Sequence, residues 1–186
     1  MIPEADEIER ELLALQERRD RVAELSREII RTAGRTIALM HAKETARVRK
    51  HLSDLKGLVT RLRKIEKGLE YNSMQAHQEY VEACALYTII REGRMPTRRE
   101  LGESGIPYLL GMLDVVGELK REAFEAMMRG EAEEAAVYYG FMKEIHDSLL
   151  HMRFSSSLVQ DFRKKQDVAR IQIENAGSEI LSFRKR

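Results

Sequence analysis

Apolar residues recur three or four positions apart along most of the chain. In the first forty residues these positions are Ile8, Leu12, Leu15, Val22, Leu25, Ile29, Ala33, Ile37 and Met40. This step is typical of an amphipathic helix. The pattern predicts a first helix over about residues 4–41 and a second over about 44–67, which ends near Gly68.

The middle of the chain predicts an interior helix and a short break. Residues 71–92 are nearly apolar all round, which is typical of a helix buried on every side. Glycines and a proline then interrupt residues 93–106. Within this break, Thr97 and Glu100 have the spacing of a capping box, so a short fourth helix is predicted there.

Three more helices complete the prediction. Pro107 suits the first turn of a fifth helix that reaches Arg129, and Gly130 ends it. A sixth helix is predicted over about 132–150, and a seventh over about 155–183, after three consecutive serines. The sequence therefore predicts an all-α fold of seven helices, long except for the short fourth one, with short connections. With 186 residues, the chain suits a single domain, residues 1–186.

Composition narrows the class of protein. A single cysteine, Cys84, excludes an intramolecular disulfide. No apolar run has the length of a membrane span, and the acidic start of the chain (Glu4, Asp6, Glu7) is unlike a signal peptide. We therefore expect a cytoplasmic protein with no membrane partner.

Four carboxylates lie in the two most apolar predicted helices. Glu79 and Glu82 belong to the third helix, and Asp114 and Glu118 belong to the fifth. Spacings of three and four residues place each pair on one helix face. Burying an ionised carboxylate without a partner costs several kcal/mol, so a cation must meet these groups. Gly117, between the acids of the fifth helix, indicates close approach of another element.

The cation could be a side chain or a metal. Core salt bridges to Arg27, Arg31, Arg35 or Arg121 would satisfy the acids, but two acidic pairs at one-turn spacing favour a divalent metal site. Hard oxygen ligands select Mg²⁺ or Mn²⁺. Residues 71–119 carry seven acidic and four basic side chains, so the acids lie in a locally negative segment.

Other site chemistries are less well supported. A ferritin-like di-iron centre needs Glu-x-x-His, and none of the five histidines has a glutamate three positions before it. An all-α nucleoside triphosphate pyrophosphatase remains an alternative, although its second acidic pair would read Glu-x-x-Asp and here reads Asp-x-x-x-Glu. Cys84 lies inside an apolar helix and is expected to be an inert core thiol. Among the histidines, His77 lies nearest the acids in sequence.

Basic residues predict phosphate contacts. Arg27, Arg31 and Arg35 form a row at four-residue steps on the first helix, and Lys120 and Arg121 directly follow the acids of the fifth. Each could hold a phosphate of a nucleic acid, although surface salt bridges are the usual role of such side chains.

Two stretches resemble the translin/Trax family. They are residues 78–83, QEYVEA, and residues 108–119, YLLGMLDVVGEL, and residues 173–176, IENA, agree with them. The chain is similar to the Trax-like, catalytic branch because it carries all four acids, Glu79, Glu82, Asp114 and Glu118. We expect a prokaryotic or archaeal source.

The resemblance implies a translin-like bundle and a function. It implies a Mg²⁺-dependent endoribonuclease in which those four acids are the catalytic and metal-binding residues. Water activated by Mg²⁺ would attack the phosphodiester of single-stranded RNA or of unpaired RNA segments. The alternative within the family is a non-catalytic protein that binds single-stranded nucleic acid, including single-stranded DNA. The resemblance also implies self-association into a closed oligomer, usually an octamer.

Overall fold

The computed structural model describes residues 3–184, and the described residues form helices, turns and loops without any strand, as predicted. The seven helices are α1 Ala5–His41, α2 Thr45–Ile65, α3 Glu70–Glu92, α4 Arg98–Leu101, α5 Gly105–Met128, α6 Ala132–Leu149 and α7 Phe162–Arg184. Six of these begin and end within about two residues of the positions expected from apolar spacing and glycine or proline signals.

The short helix α4 forms for the predicted reason. The backbone amide of Glu100 donates to Thr97 Oγ1 at 3.2 Å, and the amide of Thr97 donates to Glu100 Oε2 at 2.6 Å. This reciprocal capping box satisfies two amides that a helix start would otherwise leave open. Gly102 ends α4 with a φ of 65°, a left-handed conformation that glycine adopts without steric cost.

The start of α7 differs from the prediction. The helix begins at Phe162 instead of near Ser155. The backbone amides of Leu158 and Val159 donate to the carbonyl of Ser155, each at 3.0 Å, and close a turn there. Asp161 has a φ of 60°, which breaks helical geometry immediately before Phe162. The serines therefore belong to a turn and do not cap the helix.

Two compact units make up the chain, Met1–Tyr80 and Val81–Arg186. In the first unit α1 packs along α2, and in the second α5, α6 and α7 pack against one another. Helix α3 runs across the division between the units. That the whole chain acts as a single domain stays a prediction.

The first unit buries only part of its longest helix. Val22, Ile29 and Ala33 of α1 are fully buried, as are Leu55 and Leu62 of α2. Before Val22, α1 has no buried residue. The apolar side chains of Ile8, Leu12 and Leu15 are 46%, 59% and 42% exposed. The described N-terminal half of α1 therefore presents an apolar stripe to solvent.

The second unit has a continuous core. Val115, Val116 and Leu119 of α5 are fully buried, as are Met142 of α6 and Ala176 of α7. Residues 83–86 of α3 are buried as well, which confirms that this helix lies in the interior there. Within residues 3–184, no helix combines the length and the apolar character needed to cross a membrane.

Candidate functional site

An acidic row follows one face of α5. Asp114 and Glu118 are half-buried, so their oxygens lie at the edge of the core and not within it. The same four-residue step continues to Glu122, which is fully buried. The structure therefore brings Asp114 and Glu118 onto one helix face, as predicted, and adds a third acid to their row.

Glu122 was not predicted from the sequence. It lies between Arg121 and Glu125 in a stretch whose charges indicate a solvated surface. The available signal was its spacing, one turn beyond Glu118. Glu122 also acts on a neighbouring helix: burial raises the pKa of the Tyr138 hydroxyl above its ordinary value of 10.0, and the negative charges of Glu134 and Glu122 raise it further.

Asp114 pairs with a cation from α7. Lys165 Nζ donates a hydrogen bond to Asp114 Oδ1. Each side chain is 25% exposed, so the pair lies at the surface of the core. The sequence suggested an arginine as the structural partner of the acids, and Arg121 instead pairs with Glu125 at 3.3 Å. Lys165, 51 residues from Asp114, was not predicted.

A cleft between α5 and α7 adjoins this pair. It has a volume of about 360 Å³ and is lined by Leu113, Asp114, Asp161, Lys164, Lys165, Val168 and Gln172. Its charged groups are two carboxylates and two ammonium groups. The cleft can therefore accept a ligand that carries phosphates and a cation together.

Gly117 permits the close approach that the sequence indicated. A Cβ atom at this position would lie 3.2 Å from Nε2 of Gln172 on α7, tighter than most real contacts. Gln172 also lines the cleft. The glycine therefore allows an α7 amide group to lie against α5 one turn beyond Asp114.

The acids of α3 occupy successive turns of that helix. Glu79 and Glu82 are half-buried, whereas Leu86 and Ile89, further along the same stripe, are buried and Gln75 is exposed. The stripe thus passes from solvent into the core, with the two acids at the transition. That these acids share one metal site with Asp114 and Glu118 stays a prediction.

His77 contacts a carboxylate that the sequence did not single out. Its Nε2 lies 2.8 Å from Oε2 of Glu66, and the same oxygen accepts a hydrogen bond from Ser73 Oγ at 2.6 Å. The side chains of His77 and Glu66 are 9% and 12% exposed. Because the Glu66 oxygen lies between the hydroxyl and the imidazole, this cluster orients His77 and does not form a serine nucleophile with its base.

The predicted phosphate-binding residues lie on two helices. Arg27, Arg31 and Arg35 are exposed along α1. On α5, the Lys120 ammonium lies 5.4 Å from the centre of the Phe124 ring, a cation–π distance, and Arg121 is exposed. Both groups are available to solvent, and their contact with nucleic acid stays a prediction.

Three solved structures resemble this chain closely. Apo-NeC3PO has a TM-score of 0.90 and 26% sequence identity, over 98% of each chain. The AfC3PO–duplex RNA complex has a TM-score of 0.90 and 28% identity, over 96% of this chain and 95% of the other. AfC3PO itself gives 0.87 and 29%, over 96% of each chain.

Sequence comparison agrees with the structural similarity. An uncharacterised protein of Methanocaldococcus jannaschii is 30% identical over 171 residues, which cover 89% of this chain and 76% of that protein. The Translin family model matches residues 17–177. These residues include the four predicted acids and most of the seven helices, so the resemblance drawn from the two short stretches is confirmed. The chain belongs to the translin family.

Proposed function

We propose that the protein is a metal-dependent endoribonuclease of the Trax-like branch, which cleaves single-stranded RNA or unpaired RNA segments. The observation that carries this proposal is the acidic face of α5, where Asp114 and Glu118 are half-buried and Asp114 lines a charged cleft. The fold of the protein is that of the C3PO structures, one of which was solved with duplex RNA.

The residues present fit a hard divalent cation. Glu79, Glu82, Asp114 and Glu118 offer carboxylate oxygens, which Mg²⁺ and Mn²⁺ prefer, and all four are half-buried. The ammonium group of Lys165 on Asp114 supports the fit, because it shows that this carboxylate already attracts a cation. A bound Mg²⁺ would lower the pKa of a coordinated water molecule and would neutralise charge on the scissile phosphate.

The chain's own residues would bind and orient the RNA. Lys120 and Arg121 follow the acids on α5, so they are proposed to contact phosphates next to the cleavage position. The exposed arginines at positions 27, 31 and 35 of α1 are proposed to hold other phosphates of the RNA. These contacts neutralise the backbone and fix its direction, and they read no sequence.

Partners and location complete the proposal. We propose that the chain assembles with copies of itself into a closed oligomer, an octamer in the form that the family resemblance implies, and that it works in the cytoplasm. Single-stranded DNA is proposed as a second ligand. Because the AfC3PO complex contains duplex RNA, the test includes both single-stranded and duplex RNA.

The proposal is tested with end-labelled RNA and the Asp114→Asn variant. Purified protein is incubated with single-stranded RNA, a blunt duplex and a duplex with an internal loop, each with Mg²⁺ or with EDTA. We expect internal cleavage that EDTA abolishes and that Asp114→Asn slows by at least about 100-fold. RNA affinity should change little, because the phosphate-binding residues remain.

A matched control shows whether the loss of RNA cleavage is specific to Asp114 or follows from removing any helical aspartate. Asp147 is also an aspartate on a helix of the second unit, and its side chain is 63% exposed. Asp147→Asn should cleave RNA at the parental rate. Cleavage by Asp114→Asn at that same rate would refute the assignment of Asp114 to the site.

One observation favours the non-catalytic alternative. The Lys165–Asp114 ion pair could be purely structural, with the acids of α5 satisfied by side chains alone. A binding-only protein of this kind would retain RNA without cleaving it, in Mg²⁺ and in EDTA alike. The experiment above therefore decides between the two functions.

A further inference from the structure

Lys165 contacts a carboxylate that the proposed function assigns to a metal. Its Nζ donates to Asp114 Oδ1, although the two residues lie on different helices, α7 and α5. An ammonium group and a divalent cation carry charge of the same sign, so both cannot occupy one carboxylate oxygen at bonding distance without strong repulsion. A metal that binds Asp114 through Oδ1 must therefore displace Lys165.

The backbone of Lys165 is held firmly, whereas its side chain can move. Phe162, in the first turn of α7, is buried, and its ring packs edge-on against Phe154 with centroids 5.1 Å apart. Gln166 Nε2 donates to the carbonyl of Leu149 at 2.7 Å and ties α7 to the end of α6. The four-carbon stem of Lys165 can therefore redirect its ammonium group without any change in the helix.

The cleft offers the displaced ammonium group a place to go. About 360 Å³ of space adjoins Asp114 and Lys165, and Lys164 and Gln172 line the same space. Two ammonium groups and an amide could hold a phosphate there once the metal neutralises Asp114. Lys164, Lys165 and Gln172 of α7 thus line the same cleft as Asp114 of α5.

We propose that Lys165 is a positioning residue that competes with the divalent cation for Asp114 and, once displaced, binds a phosphate of the RNA in the cleft. This inference rests on the proposed function, since it takes Asp114 as a metal ligand. Lys165 would hold the Asp114 carboxylate in place while no metal is bound. Metal binding and phosphate binding would then be coupled. A metal on Asp114 would release Lys165 to bind the phosphate, and a phosphate on Lys165 would release Asp114 to bind the metal.

The competition is measured by calorimetric titration of the full chain with Mn²⁺, without RNA. Lys165→Met should bind Mn²⁺ roughly three- to tenfold more tightly than the parent, because a competing positive charge is removed. Lys165→Arg keeps the charge and should bind Mn²⁺ like the parent. Lys143→Met removes the charge of an exposed lysine on α6 and should bind Mn²⁺ like the parent.

The same change made in the Asp114→Asn variant tests whether the gain in Mn²⁺ affinity depends on Asp114. In Asp114→Asn, the added change Lys165→Met should give no gain in Mn²⁺ affinity, because the contested carboxylate is gone. Equal or weaker Mn²⁺ binding by Lys165→Met, or no Mn²⁺ binding by either protein, would overturn the inference. A gain that persists in the Asp114→Asn background would overturn it as well.

RNA binding tests the second half of the inference. With Mn²⁺ present, Lys165→Met should bind RNA more weakly than the parent, whereas in EDTA the two proteins should bind equally. Lys165→Arg, which keeps the charge, should bind RNA like the parent in both conditions. Equal affinities in Mn²⁺ would overturn the phosphate role. Mn²⁺ titration needs no cleavage, so the competition can hold in a protein that fails the ribonuclease test, and the two failures are distinguishable.

Discussion

The carboxylate of Glu100 shows how one side chain stabilises α4, the short helix that precedes α5. It closes the capping box of α4, and its Oε1 lies 2.9 Å from Arg94 Nη1. The hydrogen bond from the Thr97 amide, together with the charge of Arg94, holds the pKa of Glu100 below its ordinary value of 4.5. A carboxyl group with a lowered folded pKa stabilises the fold above its unfolded pKa, and this stabilisation is lost as pH falls through the folded value.

Glu100→Gln should therefore destabilise the protein in a pH-dependent way. We expect its thermal midpoint to lie below that of the parent at about pH 7, and the difference to shrink at about pH 3, because Glu100 is protonated as the pH falls through its lowered folded pKa. Glu133→Gln, an exposed change in the first turn of α6, is the control and should show little difference at either pH. A deficit of equal size at both values would contradict the lowered pKa.

Single residues of the site were only partly predictable. Spacing identified Asp114 and Glu118 because a four-residue step fixes a common helix face. Lys165 could not be found in this way, because its contact with Asp114 depends on how α7 packs on α5. The burial of Glu122 likewise results from packing, since its flanking charges indicate an exposed surface.

Helix packing explains two glycines that sequence propensity alone would disfavour. A Cβ atom at Gly177 of α7 would lie 2.8 Å from Tyr139 Oη and 3.2 Å from its Cζ, so it would strike a rigid ring on α6. At Gly117 the Cβ atom would instead meet only the end of the flexible Gln172 side chain, at 3.2 Å. The same substitution should therefore have opposite effects at the two positions.

Gly177→Ala should destabilise the protein by about 1–2 kcal/mol, because overpacking against Tyr139 exceeds the roughly 1 kcal/mol gained in helix propensity. Gly117→Ala should leave stability unchanged or raise it by up to about 1 kcal/mol, since Gln172 can move aside. Gly34→Ala is the control, because nothing lies within 4 Å of that Cβ position, so propensity acts alone. Urea unfolding curves measure all three, and a stabilised Gly177→Ala would contradict the packing argument.

Most helix boundaries were predictable from the sequence. The start of α7 was not, because the serines before it can either cap a helix or form a turn. Apolar spacing, with the capping box at α4 and glycine or proline signals, located α1 to α6 within about two residues. Serines near a helix start have two roles, since they cap helices and also form turns. Here the hydroxyls of Ser155 and Ser157 lie 3.0 Å apart, and Asp161 carries the positive φ that separates the turn from α7.

The exposed stripe on α1 bears on the state of the whole molecule. Ile8, Leu12 and Leu15 lie on one face of a segment in which no residue before Val22 is fully buried in its own chain. Residues 5–21 extend roughly 25 Å as a helix. An apolar stripe of this length, with polar residues on the opposite face, is typical of a surface that another helix covers. The proposed self-association would remove it from water.

Replacing Ile8, Leu12 and Leu15 together by glutamine should therefore reduce the size of the assembly. We expect size-exclusion chromatography with light scattering to show a smaller species than the parent, with the same helical content by circular dichroism. The control changes the opposite face at three positions, Asp6→Asn, Arg10→Gln and Glu17→Gln, and should leave the size unchanged. If the apolar variant keeps the parental mass, the stripe is not part of the contact between copies, and self-association must use another surface of the chain.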